Sequence, residues 1–311
     1  MGATEELAPV TWVLGARGLI GRAIVSSSSA VFPGGAIRWD DDKGVVDDFA
    51  LEALRFSEFA AQRPWRIYWA AGVGVISSPA EVIRRDARVL EEFLQVLDAR
   101  LPSGSGVVTL VSSAGGVYGG SAGGPFDEQT VPMPISTYGE GKLAQEGIVR
   151  GWCQERGIRA AIARLANVYG TGQNLGKPQG LISHACAAAV RGEEIRIFVP
   201  LETRRHYVYE TDAGLLVASL ADVIAAGLAD ELTIVKNVAG GPPISISRIL
   251  ELIEQVHGAP LRVVEQALPD QAIHPVDVLL TSDVAPVLDR LPLTSIEDGI
   301  SAVYSALRGV A

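Results

Sequence analysis

Val10-Thr11-Trp12-Val13-Leu14-Gly15-Ala16-Arg17-Gly18-Leu19-Ile20-Gly21-Arg22-Ala23-Ile24-Val25 is the stretch whose reading decides the fold. It reads as a buried strand, a tight turn, and a helix that begins inside the turn. Gly15 supplies the positive φ needed to leave the strand. Gly18 removes a Cβ where a diphosphate would approach the backbone, and Gly21 lets the helix pack close to the strand. The first helical residues, Leu19 and Ile20, then offer free N–H groups and the positive end of the helix dipole to phosphate. In a chain with 34 glycines, three at this spacing mean little alone. The apolar strand before them and the helical pattern after them mark a dinucleotide-binding turn.

Composition narrows the classes. At 311 residues the chain can bury a large core and carry two subdomains. A net charge of -10 argues against nucleic acid as a partner, because phosphate backbones need clustered Lys and Arg. Met1-Gly2-Ala3-Thr4-Glu5-Glu6 has neither the basic nor the apolar part of a signal peptide, and no apolar run is long enough to span a bilayer. Cys153 and Cys186 stand alone, which suits a reducing compartment. Four His without ligand spacing predict no metal site. The expectation is a cytoplasmic protein with no membrane partner.

Outward from the glycine turn, strand and helix patterns alternate. Residues 26–35 read as a loop ending in Pro33-Gly34-Gly35, and 36–39 as a second strand followed by Asp40-Asp41-Asp42. Helical periodicity covers 51–62, 80–100 and 136–156. Apolar strands cover 65–71, closed by Gly72, then 106–113 and 160–165. This alternation predicts an α/β fold with a doubly wound, parallel, Rossmann-type sheet. Past Asn167 the pattern loosens into helices near 181–191 and 246–256 and strand-like pieces at 195–199 and 232–235. We expect a dinucleotide-binding domain over 1–166, with 207–240 returning to it. A smaller C-terminal α/β substrate domain is expected over 167–311.

Tyr138-Gly139-Glu140-Gly141-Lys142 places a phenol and an ammonium four apart, on one face of a helix. A cation beside a phenol favours phenolate, so the pair can exchange a proton with a hydroxyl or carbonyl. With Gly15-x-x-Gly18-x-x-Gly21 stand Ala70-Ala71-Gly72, Ser112-Ser113-Ala114-Gly115-Gly116-Val117-Tyr118-Gly119 and Arg164-Leu165-Ala166-Asn167-Val168-Tyr169-Gly170. Arg205-His206-Tyr207-Val208-Tyr209-Glu210-Thr211-Asp212 and Leu293-Thr294-Ser295-Ile296-Glu297-Asp298-Gly299-Ile300 follow in order. Together these resemble the extended short-chain dehydrogenase/reductase superfamily, in its branch of nucleotide-sugar epimerases and ketoreductases, the NAD-dependent epimerase/dehydratase family. The resemblance covers nearly the whole chain.

The resemblance implies roles. Tyr138 would be the acid/base, and Lys142 would hold the nicotinamide ribose and tune Tyr138. Gly15, Arg17, Gly18, Leu19, Ile20, Gly21, Ala70, Ala71 and Gly72 would hold the cofactor. Asn167 would contact the sugar or its diphosphate, and Arg205 the nucleotide diphosphate, whose oxygens a guanidinium fork matches. Three positions depart from the family's pattern. Counted without a gap, Ala114 stands where a Ser or Thr is usual, and Ser113 fills that slot if Gly115-Gly116 hold an extra residue. His206 replaces an Asp, and His274, a substrate-binding candidate, replaces a second arginine before Asp277.

The cofactor is expected to be NADP, with NAD as the alternative. Asp40 would accept from the adenosine ribose hydroxyls and repel a 2′-phosphate, whereas Arg17 and Arg38 would grip that phosphate. The leading function is hydride transfer at a ring carbon, C4 favoured, of a nucleotide-activated sugar, in the ketoreductase sense. A 4-epimerase that retains NAD uses the same residues, and a non-catalytic dinucleotide-binding regulator is the alternative from another class. A homodimer is also expected. Phe93, Leu94, Val96 and Leu97 on one helix, and Leu143, Ile148, Val149 and Trp152 on another, exceed a single buried stripe.

Overall fold

The computed structural model describes residues 8–227, 231–266 and 277–309. Val10–Leu14 (β1) is buried at every position, as a central parallel strand must be when helices cover both faces. The turn leads into α1 (Leu19–Ser26), then β2 (Ala30–Val31), α2 (Asp42–Ala60), β3 (Trp65–Trp69), α3 (Ala80–Asp98) and β4 (Gly106–Ser113). A short α4 (Ala114–Val117), α5 (Thr137–Arg156) and β5 (Arg159–Leu165) close the first half. The second half runs β6 (Asn167–Tyr169), α6 (Leu181–Arg191), β7 (Ile195–Ile197), β8 (Arg204–Arg205), β9 (Tyr207–Tyr209) and α7 (Glu210–Ala225). It ends with β10 (Thr233–Val238), β11 (Ile244–Ser245), α8 (Ile246–His257), β12 (Val263–Glu265) and α9 (Ile296–Arg308).

Six strands form one parallel sheet in the order β10-β5-β4-β3-β1-β2. The chain winds outward in both directions from the β1/β3 boundary, the switch point above which ligands bind in such sheets. On one face α2, α3 and α5 bury an aromatic cluster that includes Trp12, Phe49, Phe56, Trp65, Trp69 and Phe93. On the other face α7 packs on α1 closely enough that a Cβ on Gly214 would lie 2.3 Å from the Ala23 carbonyl carbon. Residues from α6, α8 and α9, among them Ile182, Ile249 and Ile300, share a separate core. Thus β10 and α7, from the second half of the sequence, complete the sheet and one of its layers.

Two expectations are corrected here. The second strand lies at Ala30–Val31, paired with Val10 and Thr11, and not at 36–39. Pro33 has no N–H for a ladder, and carboxylates of α2 take the donors beyond it. Gly35 N–H donates to Glu52 Oε2 at 2.8 Å, and Arg38 N–H donates to Asp48 Oδ2 at 2.8 Å. Helix α2 therefore starts at Asp42, well before 51, with the Asp41 side chain accepting from Lys43 N–H as its cap. The acidic run is a helix start.

The apolar surplus that predicts a dimer is used inside the chain. Phe93, Leu94, Leu97, Val149 and Trp152 are all buried, and Val96, Leu143 and Ile148 are partly so. Helices α3 and α5 pack on each other as well as on the sheet, which accounts for apolar side chains on more than one face. Burial within one chain removes those residues as an argument for the interface, and the homodimer stays an expectation. Among the described residues no helix is long and apolar enough to cross a membrane, and no cluster of His, Cys, Asp and Glu could hold a metal ion.

Candidate active site

The three glycines of the turn have different neighbours. Gly15 has φ +86°, and a Cβ there would lie 2.6 Å from the Ala70 carbonyl, so the turn touches the end of β3 backbone to backbone. A Cβ on Gly21 would lie 2.1 Å from Gly15 O. Gly18 instead has an ordinary φ of -74°, and its Cβ would meet only Gly15 O, at 3.3 Å. The space in front of Gly18 belongs to a cleft. Gly18 is also the N-cap of α1, and no side chain caps that helix, so its first N–H groups are available to a phosphate.

Two cavities meet at this turn. One, of 380 Å³, runs past Trp39 and Trp69 to Asp40 and Arg85. The other, of 600 Å³, runs past Leu19, Ile20, Ser113, Tyr138 and Lys142 to Asn167, Lys177 and Arg205. Arg17, Gly18, Ala70, Ala71, Gly72 and Asp86 line both, so they form one cleft across the carboxyl ends of the strands. Its elongated shape, with an uncapped helix N-terminus between the two cavities, fits what an extended dinucleotide would need. The charges around the first cavity differ from the sequence expectation. Arg38 lies in a loop with its guanidinium on Asp48 at 2.7 to 3.2 Å, and it does not line the cleft. Arg85, which the sequence did not suggest, lines it but is held by Asp42 and the Trp39 carbonyl. Arg17 and Asp40 are exposed and face the cavity.

Ser136 caps α5 by accepting from Gly139 N–H, and this fixes Tyr138 in the first turn. Gly116 lies against the Tyr138 ring, where a Cβ would come within 3.1 Å of Cε1. Lys142 follows one turn later on the same face. Its Nζ sits 5.8 Å from the Tyr138 ring centroid and donates to Val111 O and Gln145 Oε1. Ser113 lines the cleft, and its Oγ accepts from Gly116 N–H at 3.2 Å, which leaves its own proton free to donate. Ala114 is fully buried against Val117 and Tyr118 and does not line the cleft. Of the two candidates for the hydroxyl slot, Ser113 is therefore the one that faces it.

Behind this face runs a buried polar chain that sequence reasoning missed. Glu146, one turn beyond Lys142, accepts from Ser112 Oγ at 2.6 Å and pairs with Arg164 at 2.7 Å, and both side chains are almost wholly buried. Burial pushes the Arg164 guanidinium down, but the Glu146 carboxylate outweighs it and holds the group above its ordinary value. Arg164 also donates to Tyr118 Oη at 2.6 Å. The pair ties α5, and with it Tyr138 and Lys142, to β4 and β5. Glu146→Ala leaves a buried guanidinium unpaired, so urea denaturation should show a loss of about 3–5 kcal/mol. Glu146→Gln should lose less, because its amide oxygen still accepts from Ser112.

At the far end of the cleft β8, β9 and β6 carry the remaining candidates. Asn167 Nδ2 donates to His206 O at 2.9 Å, and Asn167 lines the cleft. Arg205 also lines it, largely desolvated, with Nη1 donating to Arg204 O and Asp277 at 4.0 Å. Burial pulls its guanidinium below the ordinary value. His206 Nδ1 donates to Gly241 O at 2.9 Å, and burial lowers its pKa, so the ring is neutral near neutral pH. His274 lies outside the described residues. Sequence reasoning also passed over Asp86, which accepts from Val73 and Gly74 N–H at the centre of the cleft. Lys177 sits in a loop rich in Gly and Gln that could have suggested a binding segment.

Over residues 11–234 the chain matches the NAD dependent epimerase/dehydratase family, and it belongs to that family. It is 29% identical over 145 residues to the dTDP-4-dehydro-6-deoxyglucose reductase of Escherichia coli, a match that covers 47% of this chain and 44% of that protein. It is 31% identical over 181 residues to the dTDP-L-rhamnose 4-epimerase of Burkholderia thailandensis, covering 57% of this chain and 48% of that protein. The chain thus matches about half the length of these curated relatives. A UDP-glucose 4-epimerase with UDP-glucose from Thermotoga maritima has the same fold. Its TM-score is 0.76 at 21% identity, covering 97% of this chain and 99% of that one.

Proposed function

We propose that the chain transfers a hydride between a nicotinamide dinucleotide and C4 of a nucleotide-activated sugar, as a ketoreductase. One observation carries the reading: a single cleft joins the uncapped helix at Gly18 to the Tyr138 hydroxyl and continues to Arg205. When bound, the nicotinamide supplies the hydride. Tyr138 donates its proton to the sugar's carbonyl oxygen as that carbon receives the hydride, giving an alcohol. Ser113 donates a hydrogen bond to the same oxygen and holds it toward Tyr138. Lys142, with its ammonium 5.8 Å from the Tyr138 ring centroid, would hold the ribose of the dinucleotide and tune Tyr138. Arg205 and Lys177 take the diphosphate, and an anion there offsets the desolvation of Arg205. The cofactor-binding set is Gly15, Arg17, Gly18, Leu19, Ile20, Gly21, Asp40, Ala70, Ala71, Gly72, Tyr138 and Lys142, with Arg38 removed because Asp48 holds it.

The similarity to a 4-epimerase supports a second reading with the same groups, in which the dinucleotide stays bound and the keto-sugar turns before it is reduced again. Mass spectrometry of the denatured purified protein separates the two. Released NAD favours the epimerase, and an empty site that takes up NADPH favours the reductase.

For the cofactor we keep the NADP reading on Arg17 alone, since Arg38 is committed to Asp48. An exposed Asp40 is screened by water, whereas a guanidinium in direct contact with a 2′-phosphate is a strong charge-assisted pair. Arg17→Ala should weaken NADPH about tenfold or more relative to NADH, a loss of roughly 1.4 kcal/mol or greater. Calorimetric titration of both cofactors reads it. Equal losses, or a wild-type preference for NADH, would mean that Asp40 governs the choice.

A further inference from the structure

Arg22 lies on α1, the helix whose N-terminus faces the cleft, and its N–H donates to Gly18 O at 3.0 Å. Its side chain leaves the dinucleotide half and crosses to the substrate half. Nη2 donates to Gly172 O at 3.1 Å and stands 3.8 Å from Glu210 Oε2. Glu210, largely buried at the start of α7, accepts with Oε1 from both Thr171 N–H at 2.9 Å and Thr171 Oγ1 at 2.7 Å. The glycines on either side of Thr171 make room for this clasp. A Cβ on Gly172 would lie 1.7 Å from Arg22 Nη2, and one on Gly170 would lie 2.5 Å from Glu210 Cδ. From Gly172 the chain goes on to line the substrate cavity with Gln173, Asn174, Lys177 and Gln179. The far side of that loop is also held, by Ser183 on Gln173 and His184 on the Lys177 carbonyl.

We propose that Arg22 is a positioning residue that couples the two halves of the cleft, setting the start of loop 172–180 according to whether a dinucleotide sits on α1. The inference rests on the functional reading above. A diphosphate at Gly18 fixes the first turn of α1, and Arg22 is bonded to that turn through the Gly18 carbonyl. The guanidinium then has one position from which to hold Gly172 O and face Glu210, and the loop inherits it. The dinucleotide binds first in this scheme, and a sugar nucleotide meets a loop already placed. Coupling of this kind is reciprocal, so a ligand held by the loop must tighten the dinucleotide by the same factor.

Amide hydrogen exchange over 171–180, with and without dinucleotide, tests this. In the wild type, saturating NADPH or NADH should slow exchange there about five- to tenfold, the lower range of typical coupling between sites. In Arg22→Ala the dinucleotide should bind with nearly unchanged affinity by calorimetry, yet no longer slow the loop. Arg22→Lys, which keeps a donor for Gly172 O, should recover part of the effect. Glu210→Gln changes no residue of α1, removes only the charge facing Arg22, and should show an intermediate response. A purely structural clasp would loosen the loop in Arg22→Ala equally with and without dinucleotide, leaving the slowing intact. That outcome overturns the proposal, as does a loop that the dinucleotide slows in neither protein, or an Arg22→Ala chain that no longer binds dinucleotide. A wild-type protein that binds no dinucleotide overturns the functional reading itself, which separates the two failures.

Discussion

Tyr138→Phe should lower turnover by about 10²–10⁴-fold, the usual contribution of a positioned acid or base, while the dinucleotide binds as before. The ring that lies against Gly116 and near Lys142 remains, so packing is unchanged. No hydrogen bond from the Tyr138 hydroxyl to the protein is seen among the described residues, so removing it orphans nothing. Thermal unfolding should therefore coincide with that of the wild type. The loss should sit in kcat and kcat/KM alike, because the proton moves only in the transition state. Turnover within a few-fold of wild type would remove Tyr138 from the chemistry.

Gly18→Val should weaken dinucleotide binding severely and leave the fold intact. The φ of -74° suits any residue, and the added Cβ meets only Gly15 O at 3.3 Å, a tight contact that the turn relieves by giving a few tenths of an ångström. The side chain then occupies the place of the diphosphate. We expect a loss of affinity of about a hundredfold or more, roughly 2.8 kcal/mol, by calorimetric titration. Circular dichroism should stay as in the wild type. Gly21→Ala is the contrasting case, because its Cβ would lie 2.1 Å from Gly15 O and must push the turn apart. That variant should lose stability as well as binding. Equal dinucleotide affinity in Gly18→Val and wild type would place the cofactor elsewhere.

The parallel sheet was legible because its strands are continuous apolar runs and its helices long amphipathic ones, and both periods survive in one sequence. Gly106–Ser113 and Leu181–Arg191 have the limits their patterns suggest. The second strand was not legible, because its two residues are too few to show a period. What fixes the loop after it is the pair Glu52 and Asp48, distant in sequence and brought near only by α2. The same distance hid the fate of Arg38, a credible phosphate ligand until Asp48 is placed beside it. Tyr138, Lys142, Ser113 and the glycine turn could be read because a local motif carries each. Asp86, Lys177 and the Arg22–Glu210 clasp could not, since each acts on residues far along the chain. Apolar surplus on α3 and α5 is ambiguous for a related reason: a sequence counts apolar positions but cannot show that two helices of one sheet face bury them together.

Hydride transfer itself can be followed with a reduced nicotinamide dinucleotide deuterated at its transferable position. The protein is incubated with this cofactor and with UDP- and dTDP-linked 4-keto sugars, and the recovered sugar nucleotides are examined by mass spectrometry and proton NMR. Hydride transfer at C4 yields a sugar nucleotide carrying one deuterium at C4 and an equal amount of oxidised dinucleotide, both nearly absent with Tyr138→Phe. A dinucleotide that binds at Gly18 yet passes deuterium to none of these sugars, with no epimerised product either, would contradict it.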